Sequence, residues 1–358
     1  MSSATLDGPA VDSEKFETST DSISYYIGNL SDTLTEAIEQ INDVNSNTHL
    51  LALNARIEAA RAGQSGAAFS VVAQEMQTLS GKTADIANSM ANQTKSSIDD
   101  LLEVIGSRVR GGRLADMALT NVDLIDRNLY ERTCGVRWWA TDSSLVDALT
   151  SGTDEAFEYA SHRLGVILSA YTVYHDLVLC DLDGRIVANG KPAEFQSRGR
   201  SVESAQWFLE AKQTRSGDEY GFETAHRSNL VNGHSVLAYS CGVRKDGHAD
   251  GQLLGVLGIL FNWEEFAQAI MQQTPLSDAE RTRTRCCICD DQGLILADSA
   301  GHQLDEHLEL PNRDTVFAEA KNYVLGSYDG KPACVAHAQA PGFETYSTGW
   351  HSLVVETL

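Results

Sequence analysis

The sequence predicts an α plus α+β protein: an antiparallel coiled-coil hairpin, a four-helix bundle once two copies pair, then a long helix and two tandem α+β modules. Three observations predict it. Apolar and small residues step by three and four between Ile27 and Val109. A Gly63-Gln64-Ser65-Gly66 break sits within that pattern. A strand–turn–strand signature then occurs twice, about 110 residues apart.

The first arm of the hairpin reads Ile27, Leu30, Leu34, Ala37, Ile41, Val44, Thr48, Leu51, Ala55. Such a/d spacing marks a coiled coil. The second arm reads Val72, Met76, Leu79, Thr83, Ile86, Met90, then changes phase through Thr94, Ile98, Leu101, Ile105 and Val109, as a stutter does. Arms of equal length on either side of Gln64 fold back into a hairpin on the order of 65 Å long at ~1.5 Å per residue. Gly111-Gly112 ends the pattern, because consecutive glycines are costly inside a helix. The reading therefore gives a tail over 1–20 and a hairpin over 21–112, with its tip near 63–66. Two helices cannot bury such a seam alone, so a homodimer is expected.

At the tip, LLALNARIEAARAG (50–63) mixes leucines with Asn54, Arg56, Glu58 and Arg61. The leucines serve the bundle, and the polar residues offer contacts outside it. This stretch and FSVVAQEM (69–76) resemble the signalling hairpin of methyl-accepting chemotaxis proteins, and the likeness runs from about Ile41 to Leu79. The resemblance implies that the tip joins dimers into trimers and docks the histidine kinase CheA and the coupling protein CheW. The matching contact positions are Leu50, Leu53, Asn54, Glu58, Arg61, Val71 and Glu75. Ser46 departs, standing where the family carries a large apolar residue, and so do His49, Gln64 and Ala67. The family is methylated on paired Glu/Gln of the outer faces; Glu17 and Gln93 are the nearest candidates, and neither fits the pattern well.

Beyond Gly112, RLADMALTNVDLIDRNLYERTCGVRWWATDSSLVDAL reads as one long helix, followed by a second helical segment over 154–171. DLVLCDLDGRIVANGK (176–191) is then a strand, a turn and a strand, with strands at 234–244 and 252–262. TRCCICDDQGLILADS (284–299) repeats the device, followed by KPACVAHAQA and GWHSLVVET. A repeated unit of this kind indicates two similar modules, here over 113–275 and 276–358. The order resembles the double Cache sensor domain, built from two PAS-like modules, with VESAQWFLEA, LLGVLGILFNWEEF and GWHSLVV as its landmarks. The resemblance implies a small-molecule ligand, held mostly by the first module. In the amino-acid-binding subfamily an arginine stands where this chain has Ala205, and an aspartate where it has Leu260, so amino acids are disfavoured. Trp207, Tyr220, His226, Ser228, Tyr239 and Cys241 are the ligand-binding candidates; a pocket of that composition buries an apolar body and fixes it with a few polar groups.

The net charge of -23 argues against nucleic acid or an anionic membrane as partner. The deficit is spread along the chain, with nine basic against eighteen acidic residues up to Tyr130 and eighteen against thirty-two after it. LLGVLGILF (253–261) is the most apolar run and about half the span a bilayer needs. Seven cysteines without framework spacing fit reduced thiols in a cytoplasm. Cys286-Cys287-Ile288-Cys289 invites a zinc reading, but alternate residues of a strand face opposite ways, and no second pair stands nearby. His175 could ligate haem, as in some PAS-like domains; a satisfied histidine at a strand edge is the simpler reading. No phosphate loop and no nucleophile–base arrangement appears, so no enzyme activity, cofactor or metal is expected. The expected function is a soluble cytoplasmic chemoreceptor-type transducer. The alternative is a dimeric adaptor that joins receptor arrays without controlling a kinase.

Overall fold

Helix α1 (Ser19–Arg61) and helix α2 (Ala67–Glu103) run antiparallel about a 3-10 turn at Gly63–Gly66 in the computed structural model, which describes residues 19–310 and 313–358. Glycine is required twice at this turn. Gly63 has φ of +59°, a conformation other residues rarely adopt. A Cβ on Gly66 would lie 2.2 Å from the Ala59 carbonyl oxygen. The chain divides into two compact units, one ending at Gly111 and the other beginning at Gly112. Among the described residues no helix is long and apolar enough to cross a membrane.

The two helices of the hairpin touch through a heptad of mostly small residues, separate from the seam of large ones. Ile38, Ala52 and Ala59 on α1 and Ala73, Ser80 and Ala87 on α2 are buried. Alanines at these positions let the backbones approach closely, and Ser80 Oγ donates to the Asn45 carbonyl at 3.1 Å. Arg56 adds a hydrogen bond to Gln77 across the helices. Most of the large apolar positions of the seam remain uncovered within one chain. Val44, Leu51, Leu79 and Ile86 are all more than half exposed. Ile41, Val44, Thr48, Leu79 and Thr83 line a groove of about 540 Å³ between the two helices.

Gly111 and Gly112 do not break the helix, contrary to the sequence expectation. Both lie in α3 (Arg110–Trp139), and the irregularity falls earlier, as a π-helical turn at Val104–Val109 that contains Gly106. A glycine costs only about 1 kcal/mol in a helix interior, which the packing of the following turns offsets. Leu114, Ala115, Met117 and Ala118 are all buried. The expected single helix over 113–149 is also two. Asp142 caps α4 (Ser143–Ser151) by accepting from the Ser144 N–H at 2.9 Å, and this competes with continuation beyond Trp139. Helix α5 (Asp154–Ala170) follows, capped by Thr153.

The remaining chain forms the two repeated modules. In the first, β1 (Tyr174–Cys180), β2 (Ile186–Asn189), α6 (Gln206–Gln213), β3 (Gly221–Arg227), β4 (Ser235–Arg244) and β5 (Leu253–Asn262) give an antiparallel sheet of order β2-β1-β5-β4-β3. Helix α7 (Trp263–Gln273) and the short α8 (Asp278–Arg281) lead to the second. There β6 (Thr284–Cys289), β7 (Ile295–Asp298), α9 (Arg313–Val316), β8 (Lys321–Tyr328), β9 (Lys331–Gln339) and β10 (His351–Thr357) repeat the topology as β7-β6-β10-β9-β8. The repeat extends to atoms. Asp181 Oδ1 accepts from the N–H groups of Asp183 and Arg185, and Asp290 Oδ1 from those of Gln292 and Leu294. Each turn closes on a glycine of positive φ, Gly184 and Gly293.

One face of each sheet packs with α3 in a shared core that includes Ile125, Leu129, Tyr239, Ile259, Ile288 and Val354. Polar ties fix α3 to the second module. Buried Asp126 accepts from the N–H groups of Gly342 and Thr348 and from the Thr348 hydroxyl. A further tie joins α3 to the end of α7, where Asn121 donates to Thr274 Oγ1 at 3.1 Å. Trp139 is buried against Tyr171 and Tyr174, whereas Trp138 is 71% exposed.

Candidate functional site

The tip residues are exposed on both helices. Leu50, Leu53, Asn54, Glu58 and Arg61 recur at three- and four-residue intervals on α1, which places them along one helical side. The buried Ala52 and Ala59 lie on the side that packs on α2. Val71 and Glu75 are a turn apart on α2, and both are exposed. Glu58 and Arg61 form an ion pair at 3.3 Å with both side chains 74% exposed. Of the two methylation candidates, Gln93 is exposed on α2, and Glu17 lies outside the described residues.

The six ligand candidates of the first module do not share one cavity. Trp207, on α6, is buried on the outer face of the sheet with Val256, Ala238 and Leu260. Tyr239 and Cys241 point the other way from β4, into the core shared with α3. The Tyr239 hydroxyl meets that of Tyr346 at 2.7 Å, and burial raises its pKa well above the usual phenol value. Burial likewise pushes the Cys241 thiol up to about 11, so it is not a nucleophile at neutral pH. Tyr220 sits near Tyr239 with its ring under Arg137. His226 and Ser228 lie along the sheet edge. His226 Nδ1 meets the Thr224 carbonyl at 2.8 Å, and Ser228 caps a short 3-10 turn at Asn229–Val231.

The position of Ala205, just before α6, carries no side-chain cap, and Leu260 is fully buried beside Trp207. Around Leu260 this face of the sheet is filled with apolar side chains, among them Val178, Val236 and Val256.

Three features escaped the sequence reading. Asp176, at the start of β1, is fully buried and accepts from Asn189 Nδ2 and from the N–H groups of Leu177, Gly190 and Lys191. Desolvation nevertheless raises its pKa to about 6. His175 stacks on His234 with ring centroids 4.8 Å apart. Its Nε2 is buried with no hydrogen-bond partner among the described residues, so it is not the satisfied strand-edge histidine expected. The third feature is a basic cleft of about 560 Å³ beside β6, lined by Arg281, Arg283, Arg285 and Lys331. Its signal was legible as alternating arginines in RTRTR (281–285). The cysteines of β6 divide between faces, Cys286 into the α3 core and Cys287 and Cys289 onto the opposite side. Among the described residues no group of three or more His, Cys, Asp or Glu side chains is placed to hold a metal ion.

A histidine chain in the second module carries a pH prediction. His337 Nε2 meets His351 Nδ1 at 2.8 Å, and His351 Nε2 meets Asp291 Oδ1 at 3.0 Å. Phe317 lies against both rings. Burial, and then the neighbouring His351, lowers the His337 pKa to about 4. An unfolded histidine titrates near 6.5. Between these values the unfolded chain binds a proton that the folded chain refuses, so stability is full above about pH 6.5 and falls as the pH drops towards 4. The loss amounts to up to about 3 kcal/mol at 1.36 kcal/mol per unit. Thermal melts from pH 7.5 to 4.5 should show this decline, and His337→Gln should flatten it. An unchanged slope in the variant would place the sensitivity in other groups.

Residues 5–123 match the family model of the methyl-accepting chemotaxis protein (MCP) signalling domain. The chain thus matches a chemotaxis signalling domain over about its first third and shares a fold with solved sensor domains over 70% of its length. In sequence it is similar to the methyl-accepting chemotaxis protein PcaY of Pseudomonas putida, 36% identical over 116 residues, which are 32% of this chain and 19% of PcaY. It is also similar to the biofilm dispersion protein BdlA of Pseudomonas aeruginosa, 38% identical over 114 residues, 29% of this chain and 27% of BdlA. The matches thus span about a fifth to a quarter of these relatives' lengths. In fold, the sensor domain of the Vibrio cholerae histidine kinase DctB superposes with a TM-score of 0.52 at 14% identity, covering 70% of this chain and 96% of that one. The sensory domain of the Campylobacter jejuni chemoreceptor Tlp3 superposes with a TM-score of 0.51 at 14% identity, covering 70% and 94%.

Proposed function

We propose that this protein is a cytoplasmic chemoreceptor-type transducer, in which a small molecule bound by the sensor unit alters the activity of the kinase CheA, coupled through CheW, at the hairpin tip. The carrying observation is the tip. Its family contact positions are exposed, while the helix pair is held together by small residues elsewhere. The uncovered apolar seam supports a homodimer, and the outward side of the tip supports further association of dimers. Two considerations favour the cytoplasm. All seven cysteines are free thiols, and a signalling hairpin of this kind must meet a cytoplasmic kinase. A role in binding and transmission needs only differential affinity of the ligand for two arrangements of the receptor, and no catalytic chemistry is proposed.

The test is phosphorylation of CheA in the presence of CheW and the purified full chain, with and without metabolites that raise its melting temperature. Ligand-dependent phosphorylation supports the transducer. Assembly with CheA and CheW without any ligand effect would instead establish the adaptor reading. Glu58→Ala and Arg61→Ala probe the tip itself. Both side chains are largely in solvent, where ion pairs contribute little to stability, so the melting temperature should stay nearly unchanged while kinase coupling falls at least tenfold. Early melting of either variant would place these residues in the fold rather than at a contact.

A further inference from the structure

The chain is strongly acidic, yet its second module concentrates positive charge in one place. Residues 276–358 contain six Lys and Arg against thirteen Asp and Glu, and four of those six line the single cleft beside β6. A scattered distribution would leave each cation among several carboxylates. Here Asp329 is the one acidic residue among those that line the cleft.

The cations differ in how they are held. Arg285 is anchored by buried Asp298, donating from Nε at 3.0 Å and from Nη2 at 2.7 Å, and it also donates to the Tyr328 hydroxyl. Three of its five N–H donors are thereby used, and two remain. Arg283 is tied to buried Glu356 through Nε at 2.8 Å. Arg281 is held by carbonyls rather than a carboxylate, donating from Nη2 to Gln272 and Thr274, both at 2.7 Å. Lys331 is exposed at the start of β9. Arg281 and Lys331 thus carry charge that no carboxylate ion pair neutralises among the described residues.

Two further observations point to a ligand. Thr284 Oγ1 is buried beside the cleft with no hydrogen-bond partner among the described residues; buried hydroxyls in folded proteins nearly always have one. The same cleft has an apolar wall of Met271, Leu276, Cys286 and Val355. Its volume of about 560 Å³ falls in the range of small-molecule sites.

We infer that this cleft binds a small organic anion with at least two negative charges, held by Arg281 and Lys331, steered by Arg285 and hydrogen-bonded by the Thr284 hydroxyl. An anchored guanidinium suits carboxylate and phosphate oxygens because its fork is pre-organised. The positive cleft in a negative protein concentrates such an anion locally while the rest of the surface repels it. The apolar wall selects an anion with a carbon body. This site deepens the sensor reading but is tested without the kinase.

The test is isothermal titration of the full chain at fixed ionic strength with inorganic pyrophosphate, citrate and acetate. Citrate or pyrophosphate should bind at least tenfold more tightly than acetate. Lys331→Gln, at an exposed position, should weaken that binding tenfold or more without changing the melting temperature. Thr284→Val, which keeps the side-chain shape, should weaken it about threefold. Hydrogen exchange should slow at 281–286 and 328–331 on adding the tighter probe. Absence of binding by both multivalent probes, or binding unchanged by Lys331→Gln, overturns the proposal. A cleft that binds citrate in a protein that leaves CheA activity untouched would keep the site and remove the transducer reading; kinase control with no anion binding would do the reverse.

Discussion

Val44→Asp combined with Leu79→Asp should turn the proposed dimer into a monomer that remains folded. Val44 and Leu79 both line the hairpin groove, and they are 66% and 65% exposed in the single chain. Both are far more exposed than Ala52, Ala59, Ala73 and Ala87, which are buried between α1 and α2. Burying one such side chain against a second copy is worth about 1.5–3 kcal/mol, and a symmetric dimer buries each position twice. Replacing them with aspartates removes that gain and sets four uncompensated charges in the interface. The dimer dissociation constant should rise at least a thousandfold, which corresponds to about 4 kcal/mol. Analytical ultracentrifugation of the full chain across a concentration series reads this directly, and circular dichroism reports whether helicity survives. A control at the inner contact separates the two seams. Ala73→Asp, at a position 1% exposed, should unfold the hairpin itself. Dimerisation undisturbed by the double variant would mean that the exposed seam is covered by something other than a second copy.

That contrast also marks what the sequence could convey. Large residues at three- and four-residue spacing, and glycines at 63 and 66, made the hairpin and its tip legible. The spacing could not tell which neighbour each residue meets. The large residues announce a seam, but the intrachain contact uses Ala52, Ala59, Ala73 and Ser80, which have too little hydrophobic signal to stand out. The strands bearing Leu177, Val178 and Leu179, then Leu257, Ile259 and Leu260, then Leu353, Val354 and Val355 were visible because they are buried on both faces. Strands β3 and β8 were not. GFETAHR and KNYVLGSY lie at sheet edges and are largely half-buried or exposed, so neither alternation nor a continuous apolar run marks them. The end of α3 was hidden because Asp142 acts through a single capping bond that competes with an otherwise helical pattern. Site residues were harder still. Trp207 and Tyr239 are both aromatic and both in the first module, and nothing local states that they lie on opposite faces of one sheet. The alternating arginines of RTRTR could have been found as a basic cluster, although only Arg285 lies on β6, with Arg281 ending α8 and Arg283 just before the strand.

Trp207→Ala should destabilise the unit from Gly112 onward by about 3–5 kcal/mol, the usual cost of removing a large aromatic side chain from a core. The ring is 2% exposed and packs on Gly258, where a Cβ would come within 2.6 Å of Trp207 Cζ3. Phe208 meets it edge-on with centroids 6.1 Å apart, and Leu260, Val256 and Ala238 share its cluster. For a unit of this size, 1 kcal/mol shifts the melting temperature by about 2–4 °C, so the expected loss is on the order of 10 °C. Glycine at 258 is part of the same arrangement. Gly258→Ala alone should cost about 1–3 kcal/mol through overpacking. In the Trp207→Ala background the added methyl enters vacated space, so the double variant should be more stable than the sum of the two losses by at least about 1 kcal/mol. Differential scanning calorimetry of the native protein and the three variants completes the cycle. The competing account makes Trp207 the wall of a ligand cavity, and it predicts the opposite pattern. Trp207→Ala would then melt near the native temperature, the two changes would add without coupling, and any metabolite that stabilises the native protein through the first module would cease to do so.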